Sequence, residues 1–173
     1  VPLVGKVGEL TAGLSGTAVA AVGVGAAAIG VGVLAVNAAD DMKGAMNDFL
    51  ASTGKSREET ERYQGVLENI YANNYGESFS DIGQAMAEVT KQLGDMDDAE
   101  LQNVTESAYA LRDTFGYEIP ESTRAAKAMV DNFGVTGEEA MNLIASGAQN
   151  GLDYSGELLD SISEYSVQFD KMG

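Results

Sequence analysis

Paired carboxylates are the groups of this chain with the widest chemical reach: Asp40/Asp41, Glu58/Glu59, Asp97/Asp98 and Glu138/Glu139. Two acids can divide the work of glycoside hydrolysis or share a hard cation. Either task needs both carboxylates aimed at one point, whereas neighbours on a helix diverge by about 100°. Three of the pairs fall where helices are predicted to begin, and acids are favoured there by the positive end of the helix dipole. They read as helix starts. The run Asp95, Asp97, Asp98 and Glu100 imitates the opening of a calcium loop but has no glycine at the sixth place, where the sharp turn needs one.

Other chemistries lack their residues. The chain has no Cys and no His, so thiolate nucleophiles, Cys/His zinc sites and serine–histidine–aspartate triads are absent as such. No nucleophile, base and orienting group can be assembled by the common routes. Gly23, Gly25 and Ala28 match a loose dinucleotide fingerprint with Asp41 downstream, but the predicted helix after them leaves no βαβ unit to hold a cofactor. Asn103 and Thr105 frame a glycosylation triplet inside a predicted helix. Arg112 beside Asp113, and Arg124 and Lys127 three apart, read as ordinary surface pairs. No catalytic, metal or cofactor residue is assigned, and the chain is expected not to be an enzyme.

The elements that carry these residues fall into two parts. Residues 1–36 hold only Lys6 and Glu9, so the whole net charge of −17 lies in residues 37–173. Such a surface repels phosphates and anionic lipid, which argues against specific nucleic-acid binding. Opening on Val1, the chain reads as a piece of a longer or processed product.

From Leu10 to Ala39 there are 30 positions without a charge, more than the ~20 that a helix needs to cross a bilayer. As a helix, this segment aligns Gly13, Gly16, Ala20, Gly23, Ala27 and Gly30 on one stripe of small residues. Such stripes let helix backbones approach closely. Val19, Val22, Ile29, Val33 and Val36 form a bulkier stripe suited to lipid or a partner. A Gly/Val linker or strand is the alternative, since Val22 to Gly25 alternates with period two.

Residues 37–173 are repetitive. Glycines at 54, 94, 134 and 173 are spaced by 40, 40 and 39, the size of a two-helix repeat, and those at 76, 116 and 151 divide each unit. Ser56 with Glu59 and Thr136 with Glu139 form capping boxes, and Asp97 with Glu100 is a looser version. Between these signals, apolar residues recur with helical spacing: Tyr63, Val66, Leu67, Ile70 and Tyr71; Phe79, Ile82, Met86, Val89 and Leu93; Leu101, Val104, Ala108, Leu111 and Phe115. The pattern continues with Ala126, Met129, Val130 and Phe133; Ala140, Met141, Ile144 and Ala148; and Leu158, Leu159, Ile162, Tyr165, Phe169 and Met172. The predicted fold class is all-α. A Gly/Ala/Val-rich hydrophobic helix precedes an acidic domain, in which a lead-in helix over 38–51 is followed by three αα-hairpins at 54–94, 94–134 and 134–173.

The stretch from Asn37 to Gly173 resembles tail tape measure proteins of long-tailed phages and prophages, especially those of Gram-positive hosts. The likeness is carried by residues 40–49, from Asp40 to Phe49, by Ile70 to Gly76, by Ala110 to Gly116, by Ala148 to Gly151 and by Leu158 to Tyr165. These are phrases rather than catalytic signatures. The resemblance implies a virion protein in the lumen of the tail tube, where its overall length helps to set tail length. It also implies a homo-oligomer, expected to be a trimer, whose partners are tail tube and tail tip proteins. After ejection it would move to the host envelope and membrane and assist genome delivery. Two other readings stay open: a membrane-active or pore-forming helical protein, and a cytoplasmic helical-repeat scaffold.

Overall fold

The computed structural model describes residues 31–172, and these form seven α-helices. They are α1 (Val31–Thr53), α2 (Thr60–Ala72), α3 (Phe79–Leu93), α4 (Asp98–Phe115), α5 (Ile119–Phe133), α6 (Gly137–Gln149) and α7 (Leu158–Asp170). A short 3-10 turn, Arg57–Glu59, leads into α2. No strand occurs among the described residues, so the chain is all-α as predicted. The lead-in helix is longer than expected. It runs from the first described residue through Thr53 and spans the point at 36–37 where the composition changes.

The helices start where side chains can satisfy the orphan N–H groups of a first turn. Ser78 accepts from the Asp81 N–H at 3.1 Å, Asp97 from Glu100 at 2.8 Å and Thr136 from Glu139 at 3.1 Å. Glu139 reaches back to the Thr136 N–H at 2.9 Å and completes that capping box. At Ser56 the return half of the box is built, with the Ser56 N–H donating to Glu59 at 3.2 Å. Pro120 sits in the first turn of α5, where a missing N–H costs nothing. Left-handed glycines stop α4 and α5: Gly116 has φ +76° and Gly134 has φ +67°.

Each helix touches the next, but the larger packing is between helices two apart. α1, α3, α5 and α7 stack in one rank, and α2, α4 and α6 stack in another. The last consecutive pair, α6 and α7, meets only slightly, and α7 rests mainly on α5. One continuous apolar core runs between the ranks, with Phe49, Leu67, Ile82, Val104, Met141 and Ile144 almost wholly enclosed. Full burial of each such side chain contributes about 1.5–3 kcal/mol.

The predicted stripes supply most of this core, with corrections at the margins. Tyr71, Phe133, Tyr165 and Met172 were expected inside and are exposed; Met172 keeps 72% of its surface. The physical reason for the last two is position: among the described residues no helix stacks on the far side of α7. Conversely Tyr109, Tyr117 and Ile119 are buried without belonging to any predicted stripe.

Candidate functional site

The carboxylate pairs do not converge. Glu58 and Glu59 lie in the 3-10 turn, and Asp97 with Asp98 and Glu138 with Glu139 open α4 and α6. Asp40 and Asp41 lie exposed on α1. No group of three acids that could hold a metal ion occurs among the described residues.

A polar cleft of about 300 Å³ lies between α3, α4 and the start of α5, lined by Asp81, Gln84, Glu88, Arg112 and Glu118 among others. Asp81 and Arg112 are engaged there, and Glu88 accepts from the Gln92 amide at 3.0 Å. Asp81 accepts from the Glu77 N–H at 3.0 Å and lies 3.7 Å from the Arg112 guanidinium, which donates to Asp113 at 3.1 Å. Arg112 also covers the face of Tyr109 at 4.6 Å. The Tyr109 hydroxyl is fully enclosed and makes no well-aligned hydrogen bond, although the Asp81 carboxylate stands near it. Burial first, and then the charge of Asp81, push that phenol far above the usual tyrosine range. An un-ionised phenol beside an engaged ion pair is a packing unit.

The side chains that recur by position are those joining each helix to the one two places on. Arg62 on α2 pairs with Asp98 at the start of α4 and donates to the Met96 carbonyl at 2.8 Å. Asn103 on α4 donates to Glu138 at the start of α6 at 3.3 Å. In the other rank, Arg124 on α5 pairs with Asp160 on α7 at 2.9 Å, and the Asn132 amide reaches Ser166 at 3.4 Å. Lys55 pairs with Asp95, joining the loop after α1 to the loop after α3. Few of these pairs are deeply buried, and each exposed one is worth less than about 1 kcal/mol. Their use is register: they fix which helix turn meets which. Neither the motifs nor the apolar spacing named these partners. The signal available in the sequence was the distance between the pairs, since Arg62–Asp98 and Arg124–Asp160 are each 36 residues apart.

The small-residue stripe of Gly13, Gly16, Ala20, Gly23, Ala27 and Gly30 lies outside the described residues, as do Val19, Val22 and Ile29. Val33 and Val36 fall in the first turns of α1. Among the described residues no helix is long and apolar enough to cross a membrane. α1 has the length, at 23 residues, but carries Asp40, Asp41, Lys43 and Asp48.

The described residues form an acidic, stacked helical body whose polar side chains largely tie helices together. Residues 69–173, from the last turn of α2 onward, match the family of phage-related minor tail proteins. The chain belongs to this family. No curated protein and no solved structure matches it. A phage-related minor tail protein is a structural component of the virion tail, and its neighbours are other tail components. The family fits a chain whose recurring polar contacts hold helices in register.

Proposed function

We propose that the chain is part of a tail tape measure protein that occupies the lumen of the tail tube and assists genome delivery across the host envelope. The observation that carries this reading is the division of charge. A stacked helical body holding the entire net charge of −17 is continuous, through α1, with a run of 30 uncharged small and apolar residues. A body of that charge does not retain DNA that moves past it. The uncharged run suits close helix association in an oligomer, a trimer of this chain, and contact with a host membrane after ejection. Residues 1–36 and 37–173 then act as a membrane-compatible segment and an acidic helical domain. The wording shared with tape measure proteins of Gram-positive hosts supports the same assignment.

An antibody against residues 54–173 tests it on tailed particles before and after ejection onto host membranes. Signal inside intact particles that moves to the membrane fraction supports both halves of the proposal. Signal that stays with the particle overturns the delivery role, and signal absent from particles overturns the tape measure assignment.

The packing bears on how such a protein measures length. A 40-residue unit drawn out as one helix spans about 60 Å, at ~1.5 Å per residue. A folded pair of stacked helices adds about one helix–helix spacing, 8–10 Å. The length-setting part of the protein is therefore elsewhere than in this stack.

A further inference from the structure

Of the chain's asparagines, Asn150 alone is followed by a glycine. That pair has a chemistry of its own. The Gly151 amide nitrogen can attack Asn150 Cγ, and with no side chain on Gly151 the approach is unhindered. The new N–C bond closes a succinimide ring, and the side-chain amide leaves as ammonia, taking up the proton of the attacking N–H. Water then adds to one of the two ring carbonyls. Opening at Cγ restores the ordinary backbone and leaves an aspartate. Opening at the backbone carbonyl leaves an isoaspartate, whose backbone runs through the former side chain and is longer by a methylene. Water is the only co-reactant.

Asn150 and Gly151 are both exposed to water, yet the end of α6 holds each reacting group. Asn150 is the C-cap, with φ −86° and ψ 9°, far from the near-planar ring that the attack must form. Gly151, at φ +75°, is the left-handed residue of a Schellman turn: its N–H donates to the Ala148 carbonyl at 3.1 Å, and the Leu152 N–H to Gly147 at 3.0 Å. The leaving group is tied as well, since the Asn150 side-chain amide donates to the Ser146 carbonyl at 2.8 Å. The turn folds the chain back on α6. A Cβ on Gly147 would lie 3.6 Å from Leu152 and 3.5 Å from Leu158, the first residue of α7. Asp153, which receives Tyr117 and the Leu158 N–H, comes two residues after Gly151.

We propose that Asn150–Gly151 is a self-modification site, restrained by the end of α6 and coupled to the seating of α7. The reaction proceeds when the last turn of α6 opens, and helix ends are among the parts of a fold that open most readily. Either product places a new carboxylate at the negative end of the helix dipole, against the Ser146 carbonyl to which the amide had donated. Isoaspartate also lengthens the backbone inside the turn, so the Gly151 and Leu152 N–H groups no longer reach both of their carbonyls. Asp153 is displaced with them. α7 has little contact with α6, so it is the element set free. As a tail component the chain is not renewed within a particle, and a slow reaction of this kind accumulates as the particle ages.

The 173-residue chain tests this directly. After incubation at mildly alkaline pH, peptide mass mapping with isoaspartyl methylation is expected to find Asn150 converted before any other asparagine. In the same chain unfolded in urea the site should convert at least about tenfold faster, because its two hydrogen bonds no longer have to open. Amide exchange in α7 should rise in step with the converted fraction, with α3 unchanged. Asn150→Gln, whose longer amide cyclises far more slowly, should keep α7 protected through the same incubation. Earlier conversion of another asparagine, equal rates in the folded and unfolded chain, or full conversion with α7 exchange unchanged would each overturn the proposal.

Discussion

The Tyr117 hydroxyl donates to Asp153 Oδ2 at 2.6 Å, and the other oxygen of that carboxylate accepts the Leu158 N–H at 2.9 Å. Tyr117 follows α4 and Leu158 is the first residue of α7, so one side chain ties the entry of the last helix to the loop before α5. α7 has little contact with α6, which makes this joint and the face of α5 its main restraints. Asp153→Ala is expected to cost about 1.5–3 kcal/mol, the range for hydrogen bonds to a charged group. The loss should be local, with faster amide exchange in α7 and little change in α3. Tyr117→Phe should cost less, because Asp153 keeps its bond to Leu158. Unchanged exchange in α7 of the Asp153→Ala chain would refute the joint.

Alkaline pH should loosen the fold through two phenols. Burial raises the pKa of Tyr117, its bond to Asp153 adds to this, and Tyr109 is raised mainly by burial. A group whose folded pKa is raised contributes stability that is complete below its unfolded pKa, about 10 for tyrosine, and lost as pH rises above it. The melting temperature is expected to be flat towards pH 10 and to fall beyond it. Each phenol that ionises only in the unfolded chain adds a slope of up to about 1.4 kcal/mol per pH unit. Tyr109→Phe should flatten the fall. At neutral pH it should be neutral or stabilising by up to about 1 kcal/mol, since the hydroxyl it removes is buried and unpaired. A Phe variant that is strongly destabilised at pH 7 would show that the hydroxyl has a partner.

Two glycines with the same backbone conformation should respond differently to alanine. Gly76 has φ +74° and Gly116 has φ +76°. The left-handed conformation alone costs a Cβ-bearing residue about 1–2 kcal/mol. At Gly116 the space is open, so Gly116→Ala should cost about that much. At Gly76 a Cβ would fall 2.4 Å from Ile82 Cγ1, and Ile82 is fully enclosed. Gly76→Ala should cost distinctly more, read as a lower denaturation midpoint with unchanged slope. Equal midpoints for the two variants would refute the distinction.

Much of this architecture is legible before any coordinates. The 40-residue glycine spacing and the boxes at Ser56 and Thr136 mark helix boundaries because stops and caps are local chemistry. The apolar stripes locate the core for the same reason, since 3.6-residue periodicity needs no knowledge of partners. What the spacing does not carry is which helix stacks on which. A stripe says that Ile82 and Met86 are covered, but not that α3 packs between α1 and α5. Tyr165 and Met172 read as core in the sequence because hydrophobicity cannot show where a stack ends. Arg62 carries no motif signal, and Asn103 and Arg124 read only as a glycosylation triplet and a surface pair, because each is an ordinary surface residue until its partner, a helical pair further on, is placed beside it.

The closest approach of two helices in the stack gives the last prediction. A Cβ on Gly83 of α3 would lie 3.1 Å from the Ala45 carbonyl oxygen and 3.4 Å from its Cβ. Gly83 is buried, and α1 and α3 share one of the most extensive interfaces in the molecule. Gly83→Ala has two opposed effects. Alanine favours the helix by about 1 kcal/mol over glycine, while the new methyl forces the backbones of α1 and α3 apart by a few tenths of an ångström. The two should nearly cancel. Gly83→Val adds two methyl groups against a neighbour that is backbone and cannot rotate away, and overpacking of this kind costs about 1–3 kcal/mol. Valine should therefore release α1 while α4 to α7 stay folded, because α1 packs chiefly on α3 and, less, on α2. Proteolysis reads this directly: the Val variant should be cut within residues 31–53 and leave a resistant fragment from α2 onward. If the Val variant resists proteolysis as the parent does, the close approach is not a constraint on α1.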